Sequence, residues 1–376
     1  MTLQFFLSYL ITESIRVWGM NRIIYISAGI LCLMFIIIFP QSPRYLEKNI
    51  TFALVGDVML GTNYPDSNRL PPEPQKLFSG AKNFLSTADI AICNLEGAIT
   101  DHNSCRKKQS EGRVYAFRMP IEYAQVLADA GFDVVSTANN HSRDFFSQGR
   151  FDTERILDSL GIGHTGRIGD IATVEVSGKE IAVIGFCTSP ESYSLLDIPQ
   201  ACRIVDSLDS IFDIVVVTFH GGAEGKQFCH IPDTMEKFLG EKRGELKKFA
   251  RGVVDAGADI VFGHGPHIPR AIEIYNGKII AYSLGNFCTW WGINVAGITG
   301  YAPLLWVELN PQGELVTFDI ISFEQHSEHY PVLDYENKAK EFILKLSESD
   351  FGLNPLSILK TDTTIADDYE DISTKE

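Results

Sequence analysis

Apolar, β-branched runs that stop on a polar residue recur along this chain and predict most of its elements. Asp259-Ile-Val-Phe-Gly-His264-Gly-Pro-His267 shows the pattern best. A buried strand should lead into Gly263, turn through Gly265 and Pro266, and present two imidazoles at its carboxyl end. Ile50-Thr-Phe-Ala-Leu-Val-Gly-Asp57, Asp89-Ile-Ala-Ile-Cys-Asn-Leu-Glu96, Phe132-Asp-Val-Val-Ser-Thr-Ala-Asn-Asn140-His141 and Asp213-Ile-Val-Val-Val-Thr-Phe-His220 repeat it. Helical patterning lies between these runs, over 75–87, 120–130, 147–160 and 235–255. Ser177-Gly178 should join two strands as a hairpin ending at Phe186. Residues 161–166 are glycine-rich but lack the spacing and the Lys-Ser/Thr of a phosphate-binding loop, so they read as a plain turn. Segments 277–287, 303–309 and 315–323 read as closing antiparallel strands, with Asn310-Pro-Gln-Gly313 as the last turn. Strands alternating with helices, then mostly strands, predict an α/β layered sandwich.

One segment breaks the globular pattern. Residues 23–39 carry no charge, are rich in Ile, Leu and Phe, and are bounded by Arg22 and by Pro40 with Arg44. A helix of that length approaches the hydrocarbon thickness of a bilayer. No small-x-small cleavage site follows Phe39, so residues 23–40 read as an uncleaved signal anchor behind a short tail, 1–22. Charges on the two flanks orient it only weakly, but a short tail before a single span fits a main domain outside the cytoplasm, held at the cell membrane. The expected order continues with a linker (41–49), the main domain (50–325), a helical extension (326–360) and an acidic disordered tail (361–376).

Composition adds two exclusions. Of 376 residues, 45% are hydrophobic and 21% charged, as in an ordinary globular protein with ample core. A net charge of −16 without any basic stretch argues against nucleic acid as a partner. No two cysteines form a Cys-x-x-Cys pair, which leaves thiolate metal sites without support. Cys93 and Cys187 read as core residues, whereas pairing of Cys202 with Cys229 stays open.

The chemistry gathers where the runs end. In layered α/β folds the loops at the carboxyl ends of strands line one crevice. Asp57, Glu96, Asn140, His141, His220, His264 and His267 all stand at such ends. Carboxylate and amide oxygens with imidazoles suit one or two divalent first-row ions, Mn²⁺, Zn²⁺ or Fe, and a pair of ions can activate water for displacement. Each residue alone has a structural role available: Asp57 can cap a turn, and Asn139-Asn140 can supply a left-handed bend.

Six ordered motifs carry a resemblance. Gly56-Asp57-Val-Met-Leu-Gly61, Asn94-Leu-Glu96-Gly97, Ala138-Asn-Asn-His141, His220-Gly-Gly-Ala-Glu224, Gly263-His-Gly-Pro-His267 and Tyr282-Ser-Leu-Gly-Asn-Phe287 resemble the bacterial capsule-synthesis family, CapA-type, associated with poly-γ-glutamate. That family is similar to the calcineurin-like metallophosphoesterases. The resemblance implies a four-layer α/β/β/α sandwich with a two-metal centre. It implies Asp57 and His267 on a first metal, Glu96 bridging, and Asn140, His220 and His264 on a second. His141 would be the outer imidazole that protonates a leaving oxygen, making His141 and Asp57 the catalytic pair. Glu224, Tyr282 and Asn286 match family motifs and are expected to line the pocket. Arg143 and Arg270, with Arg150 and Arg167, are candidates for a basic patch that would offset the negative charge toward an anionic polymer.

Three departures stand out against the phosphoesterase pattern. Met59 occupies the place of a first-motif histidine, Glu96 replaces an aspartate, and His264 and His267 are separated by two residues instead of one. The function implied is a membrane-anchored, CapA-like protein of capsule or poly-γ-glutamate synthesis and export, acting with other membrane proteins as a metal-dependent hydrolase. A general metal-dependent phosphoesterase and a catalytically degenerate polymer-binding scaffold are the alternatives.

Overall fold

The computed structural model describes residues 48–107, 115–327 and 330–358. The expected anchor (23–40) and acidic tail (361–376) lie outside them. Among the described residues no helix is long and apolar enough to cross a membrane.

The first half alternates as its patterning predicts. β1 (Ile50–Met59) and α1 (Lys82–Thr87) lead to β2 (Ile90–Leu95), and two short strands, β3 (Ala98–Ile99) and β4 (Arg118–Met119), pair beside it. α2 (Ala124–Ala130), β5 (Val134–Ser136), α3 (Phe146–Ser159) and β6 (Gly163–Thr165) follow. β7 (Ala172–Val176) and β8 (Lys179–Cys187) form the expected hairpin. Its turn places Ser177 at φ 53° and Gly178 at φ 78°, the left-handed pair that a tight two-residue connection needs.

Next come β9 (Tyr193–Ser194), α4 (Ile198–Asp209), β10 (Ile214–His220), β11 (Glu236–Phe238), β12 (Glu241–Gly244) and α5 (Leu246–Asp255). β13 (Ile260–His264), β14 (Ile272–Tyr275), β15 (Lys278–Ala281) and β16 (Asn286–Thr289) complete the crevice strands. β17 (Tyr301–Leu309), β18 (Leu315–Glu324), β19 (Val332–Leu333) and α6 (Lys338–Phe351) close the chain.

The strands build two sheets. An eight-stranded sheet runs β19-β18-β17-β1-β2-β5-β6, with β16 also on β1; a seven-stranded sheet runs β14-β15-β13-β10-β8-β7, with β9 on β8. β1, β2, β5 and β6 are mutually parallel, and so are β8, β10, β13 and β15. Their continuous apolar character follows from burial on both faces. On β1, Phe52 and Leu54 enter a core shared with Ile214 and Val216 of β10, while Ala53 and Val55 enter a core shared with Phe84 of α1 and Leu127 of α2. On β10, Val215, Val217 and Phe219 turn the other way, against Phe249 and Val253 of α5. The inner core thus joins the sheets, and helices cover both outer faces. α6 touches two cores, with Ile343 in the inner one and Leu346 in the outer one.

Four expectations change. The helix over 75–87 divides into a 3₁₀ turn at Pro74–Lys76 and α1, and the weak helix formers Ser79 and Gly80 lie at the break. Residues 235–255 are not all helix: β11 and β12 form a hairpin first, turned by Leu239 at φ 48° and Gly240 at φ 84°. Residues 161–166 contain a strand, β6, because Gly163 to Thr165 pair with β5. Segment 277–287 is not a single antiparallel strand. β15 lies parallel to β13 in one sheet and β16 parallel to β1 in the other, so Tyr282 to Gly285 cross between sheets.

Candidate metal centre

The parallel strands of both sheets end at one crevice. Asp57 closes the regular part of β1, Asn94 lies near the end of β2 with Glu96 just beyond it, His220 ends β10 and His264 ends β13. β10 and β13 pair His220 directly with His264. The loop after β13 then doubles back: Gly265 has φ 113°, and a Cβ there would lie 2.6 Å from Gly221 O. His267 follows with φ 56°, an unusual conformation for a side-chain-bearing residue, and its imidazole returns to the crevice.

The expected residues converge. His267 Nδ1 lies 2.9 Å from Asp57 Oδ2 and 3.8 Å from Glu96 Oε2. His264 Nδ1 lies 3.5 Å from Asp57 Oδ1, and His220 Nε2 lies 4.0 Å from Glu96 Oε1. His141 Nε2 reaches within 3.9 Å of Glu96 Oε1 from the loop after β5. Asp57, Glu96 and His264 are completely buried.

Their partners are incomplete in an informative way. Both oxygens of Glu96, Nε2 of His220, both ring nitrogens of His264 and Oδ1 of Asn140 are buried without a hydrogen-bond partner among the described residues. Leaving a carboxylate buried and unpaired costs several kcal/mol, so native structures seldom tolerate it without an ion. Oxygen and imidazole donors facing one small space are the set a divalent first-row cation takes. The residues present therefore fit such an ion.

Electrostatics agree. Burial drives the Glu96 carboxyl up to about 8, with the Asp57 charge adding to it. Burial also works against charge on His267, but the carboxylates of Glu96 and Asp57 outweigh it and raise the imidazole to about 10. Asp57 is lowered: burial opposes this, and His264 and His267 overcome it. His220 is pushed well below its usual range, chiefly by burial, which leaves a neutral imidazole able to donate a lone pair. A divalent charge in the crevice would hold Glu96 ionised.

Several residues outside the predicted set complete the site. Asn94 Nδ2 donates to Asp57 Oδ1 at 2.8 Å, and Asn94 Oδ1 accepts from Asn139 Nδ2 at 3.0 Å. Asn139 Oδ1 in turn accepts the His141 backbone N–H. Asn139 is thus the fully enclosed brace, while Asn140 faces the crevice. His141 Nδ1 lies 2.8 Å from Asp144 Oδ2, and Lys107 Nζ lies 2.6 Å from Asp144 Oδ1. Phe117 packs on the imidazole with ring centroids 4.5 Å apart. The period-two position of Asn94 relative to Glu96 and the i+3 position of Asp144 were visible signals; the return of Lys107 from the loop after β3 was not.

A cavity of about 830 Å³ opens above these groups, lined by Lys107, Tyr115, Asn140, His141, Glu224 and His267 among others. Glu224 lies there in a short ion pair with Arg243 of β12. Other expectations separate from the site. Tyr282 is fully buried in the outer core, its hydroxyl donating to Glu273 at 2.8 Å and its ring stacked on Phe351. Arg270 is fully buried too, held by Glu236 Oε2 at 2.9 Å and by Ala223 O, so it does not join a surface basic patch. Arg143 pairs with Glu191, Arg167 with Glu154, and Arg150 is buried against Ser142. The reason is local: carboxylates neutralise three of these arginines where they stand. All six described cysteines are free thiols, including Cys202 and Cys229.

The family model described as "Bacterial capsule synthesis protein PGA_cap" matches residues 51–289. The chain is 28% identical over 268 residues to the PGA biosynthesis protein CapA of Bacillus subtilis, covering 66% of this chain and 65% of that protein. It is 28% identical over 269 residues to the capsule biosynthesis protein CapA of Bacillus anthracis, covering 66% and 61%. It thus spans slightly under two thirds of these curated relatives. Among solved structures, the calcineurin-like phosphoesterase YfkN of Bacillus subtilis aligns with TM-score 0.43 and 11% identity, over 73% of this chain and 90% of that one. A 5'-nucleotidase precursor of Thermus thermophilus aligns with TM-score 0.39 and 14% identity, over 81% and 60%. The family model spans the strand ends from Asp57 to Asn286 that build the crevice, and this chain belongs to the bacterial capsule synthesis protein family PGA_cap.

Proposed function

We propose that this protein is a CapA-like component of capsule or poly-γ-glutamate synthesis and export, with a divalent-metal hydrolytic centre in a four-layer, metallophosphoesterase-like cleft. The observation that carries the proposal is the set of buried donors left without partners, Glu96 Oε1 and Oε2, His220 Nε2 and the His264 nitrogens, around Asp57. In the reading proposed, Asp57, Glu96 and His267 would hold one ion, and Asn140, His220 and His264 would hold a second beside it. Such ions supply Lewis-acid polarisation of a phosphoryl or carbonyl oxygen.

The remaining steps fall to the chain itself. Asp144 holds the His141 ring through Nδ1, and burial keeps that ring neutral, so Nε2 faces the crevice as a base that would take a proton from the attacking water and return it to the leaving oxygen. Phe117 covers the ring and keeps bulk water from one face. Asn94 and Asn139 lock Asp57 and the His141 backbone in register. The polymer would lie in the cavity bounded by Tyr115 and the Glu224–Arg243 pair.

In this proposal residues 23–40 anchor the chain and the main domain works outside the cytoplasm, beside other membrane components of polymer assembly. Elemental analysis of the purified protein is the first test: one or two equivalents of Mn, Zn or Fe are expected. His141→Ala should keep that metal content and lose polymer production in cells. Metal-free protein, or normal polymer production by a folded His141→Ala variant, would sink the hydrolytic reading.

A further inference from the structure

Asn286 occupies a position that pocket lining does not explain. It is completely buried, and its Cα pairs with that of Asp57 where β16 meets β1. The approach is close: Asp57 N donates to Gly285 O at 2.8 Å, and a Cβ on Gly56 would lie only 2.0 Å from that oxygen. The crossover between sheets is therefore pressed against the end of β1, and Gly56 is the residue that permits it.

The amide orientation is over-determined. Asn286 Nδ2 faces three carbonyl oxygens, Thr299 O at 2.9 Å, His267 O at 3.2 Å and Asn294 O at 3.4 Å. A flipped amide would set its oxygen against all three, so the donor end belongs there. Oδ1 must then point the opposite way, into the crevice, where it lies 3.1 Å from His267 Nδ1. The same nitrogen is 2.9 Å from Asp57 Oδ2 and 3.8 Å from Glu96 Oε2. Separations of about 3–4 Å are those of neighbouring ligands around one ion with bonds near 2.1 Å.

We propose that Asn286 Oδ1 is a metal ligand, completing with Asp57, Glu96 and His267 an oxygen-rich position for a hard divalent cation such as Mn²⁺. It supplies a donor where Met59 leaves none, from the neighbouring strand β16. Three oxygens and one imidazole favour Mn²⁺ or Mg²⁺ over Zn²⁺ more than a set with two imidazoles does, and His220 with His264 form such a set on the other side of Glu96. The inference rests on the metal centre proposed above.

The test uses the full-length, metal-stripped chain and the metal alone. Calorimetric titration with Mn²⁺ should show Asn286→Ala losing roughly tenfold or more in affinity at one position, with the other unchanged. Zn²⁺ should suffer less at that position. Because the variant also gives up three carbonyl contacts, a manganese-soaked crystal of the wild-type chain provides an independent reading. An anomalous peak bonded to Asn286 Oδ1 is expected. A peak among Asp57, Glu96 and His267 that leaves Oδ1 beyond bonding distance would overturn the assignment and reduce Asn286 to an acceptor for His267. Unchanged Mn²⁺ titration by folded Asn286→Ala would overturn it as well. Wild-type protein that binds no divalent ion would remove the metal centre itself, a failure distinct from either.

Discussion

Among the described residues, two places bring carboxylates and an imidazole within ligand distance, and only one reads as a metal centre. Asp57, Glu96 and His267 form the first, and Glu154, His164 and Asp170 the second. At the second, every charge is answered. His164 Nδ1 lies 3.0 Å from Asp170 and Nε2 3.2 Å from Asp158, while Arg167 Nε lies 3.0 Å from Glu154. At the first, both Glu96 oxygens are buried without a hydrogen-bond partner, and the imidazole nitrogens of His267, His141 and His220 stand 3.8, 3.9 and 4.0 Å away. The same residue types therefore give a closed ion-pair network in one case and an open donor cage in the other. Unsatisfied donors, more than composition, identify the site.

The contrast breaks most visibly at Glu96. Glu96→Gln should reduce metal affinity by more than the roughly 10–100-fold expected from losing an outer partner, and inductively coupled plasma analysis after gel filtration would show it. Glu154→Gln should leave metal content unchanged. The same Glu96→Gln change should stabilise the metal-stripped protein near neutral pH, by about 1–3 kcal/mol, since it replaces a carboxyl that must take up a proton to be buried with an amide that is neutral throughout. Chemical denaturation in EDTA checks this, and a destabilised apo variant would show that Glu96 is satisfied in a way its surroundings do not reveal.

A pH titration sharpens the comparison next. Ligands must be unprotonated to bind, so affinity at the first cluster should climb as pH rises toward and past about 8, where Glu96 sheds its proton, and further toward 10 for His267. Proton release on Mn²⁺ binding, measured in buffers of different ionisation enthalpy, would report it. A flat profile from pH 6.5 to 9 would contradict the buried, unpartnered environment.

The second cluster should respond in the opposite sense and more weakly. Burial opposes the charge on His164, but the hydrogen bond and charge of Asp170, with Asp158, raise its pKa. The stabilisation is fully present below the unfolded value of about 6.5 and is lost as pH rises through the higher folded value. Asp170→Asn should flatten that dependence, with a loss of roughly 1 kcal/mol at low pH and none in metal content. Smallest of all, Arg167→Met removes a half-exposed partner of Glu154 and should cost no more than about 0.5–1 kcal/mol, screened by salt.

Much of the crevice could be read along the chain because strand ends concentrate it. Asp57, Glu96, His220 and His264 each end a run whose apolar neighbours alternate between two cores, so period and position gave their direction together. Arg270 and Tyr282 misled for a related reason. Both sit beside site residues in sequence, but Arg270 is drawn to Glu236, and Tyr282 turns into the outer core to reach Glu273. The β11–β12 hairpin was hidden because Lys and Glu at its exposed positions suit a helix surface as well as a hairpin edge.

By itself the sequence determined the alternation of buried strands and helices, the residue types at the strand ends, and the family. Those are local properties, set by burial periodicity and by backbone preference. Tertiary structure alone decided which donors share a space: the crossover from β15 to β16 lays Asn286 against Asp57, 229 positions earlier in the chain, and the loop after β3 returns Lys107 to Asp144. No local pattern encodes such proximity, because it arises from two sheets closing on one inner core, and that packing also leaves Glu96 without a partner.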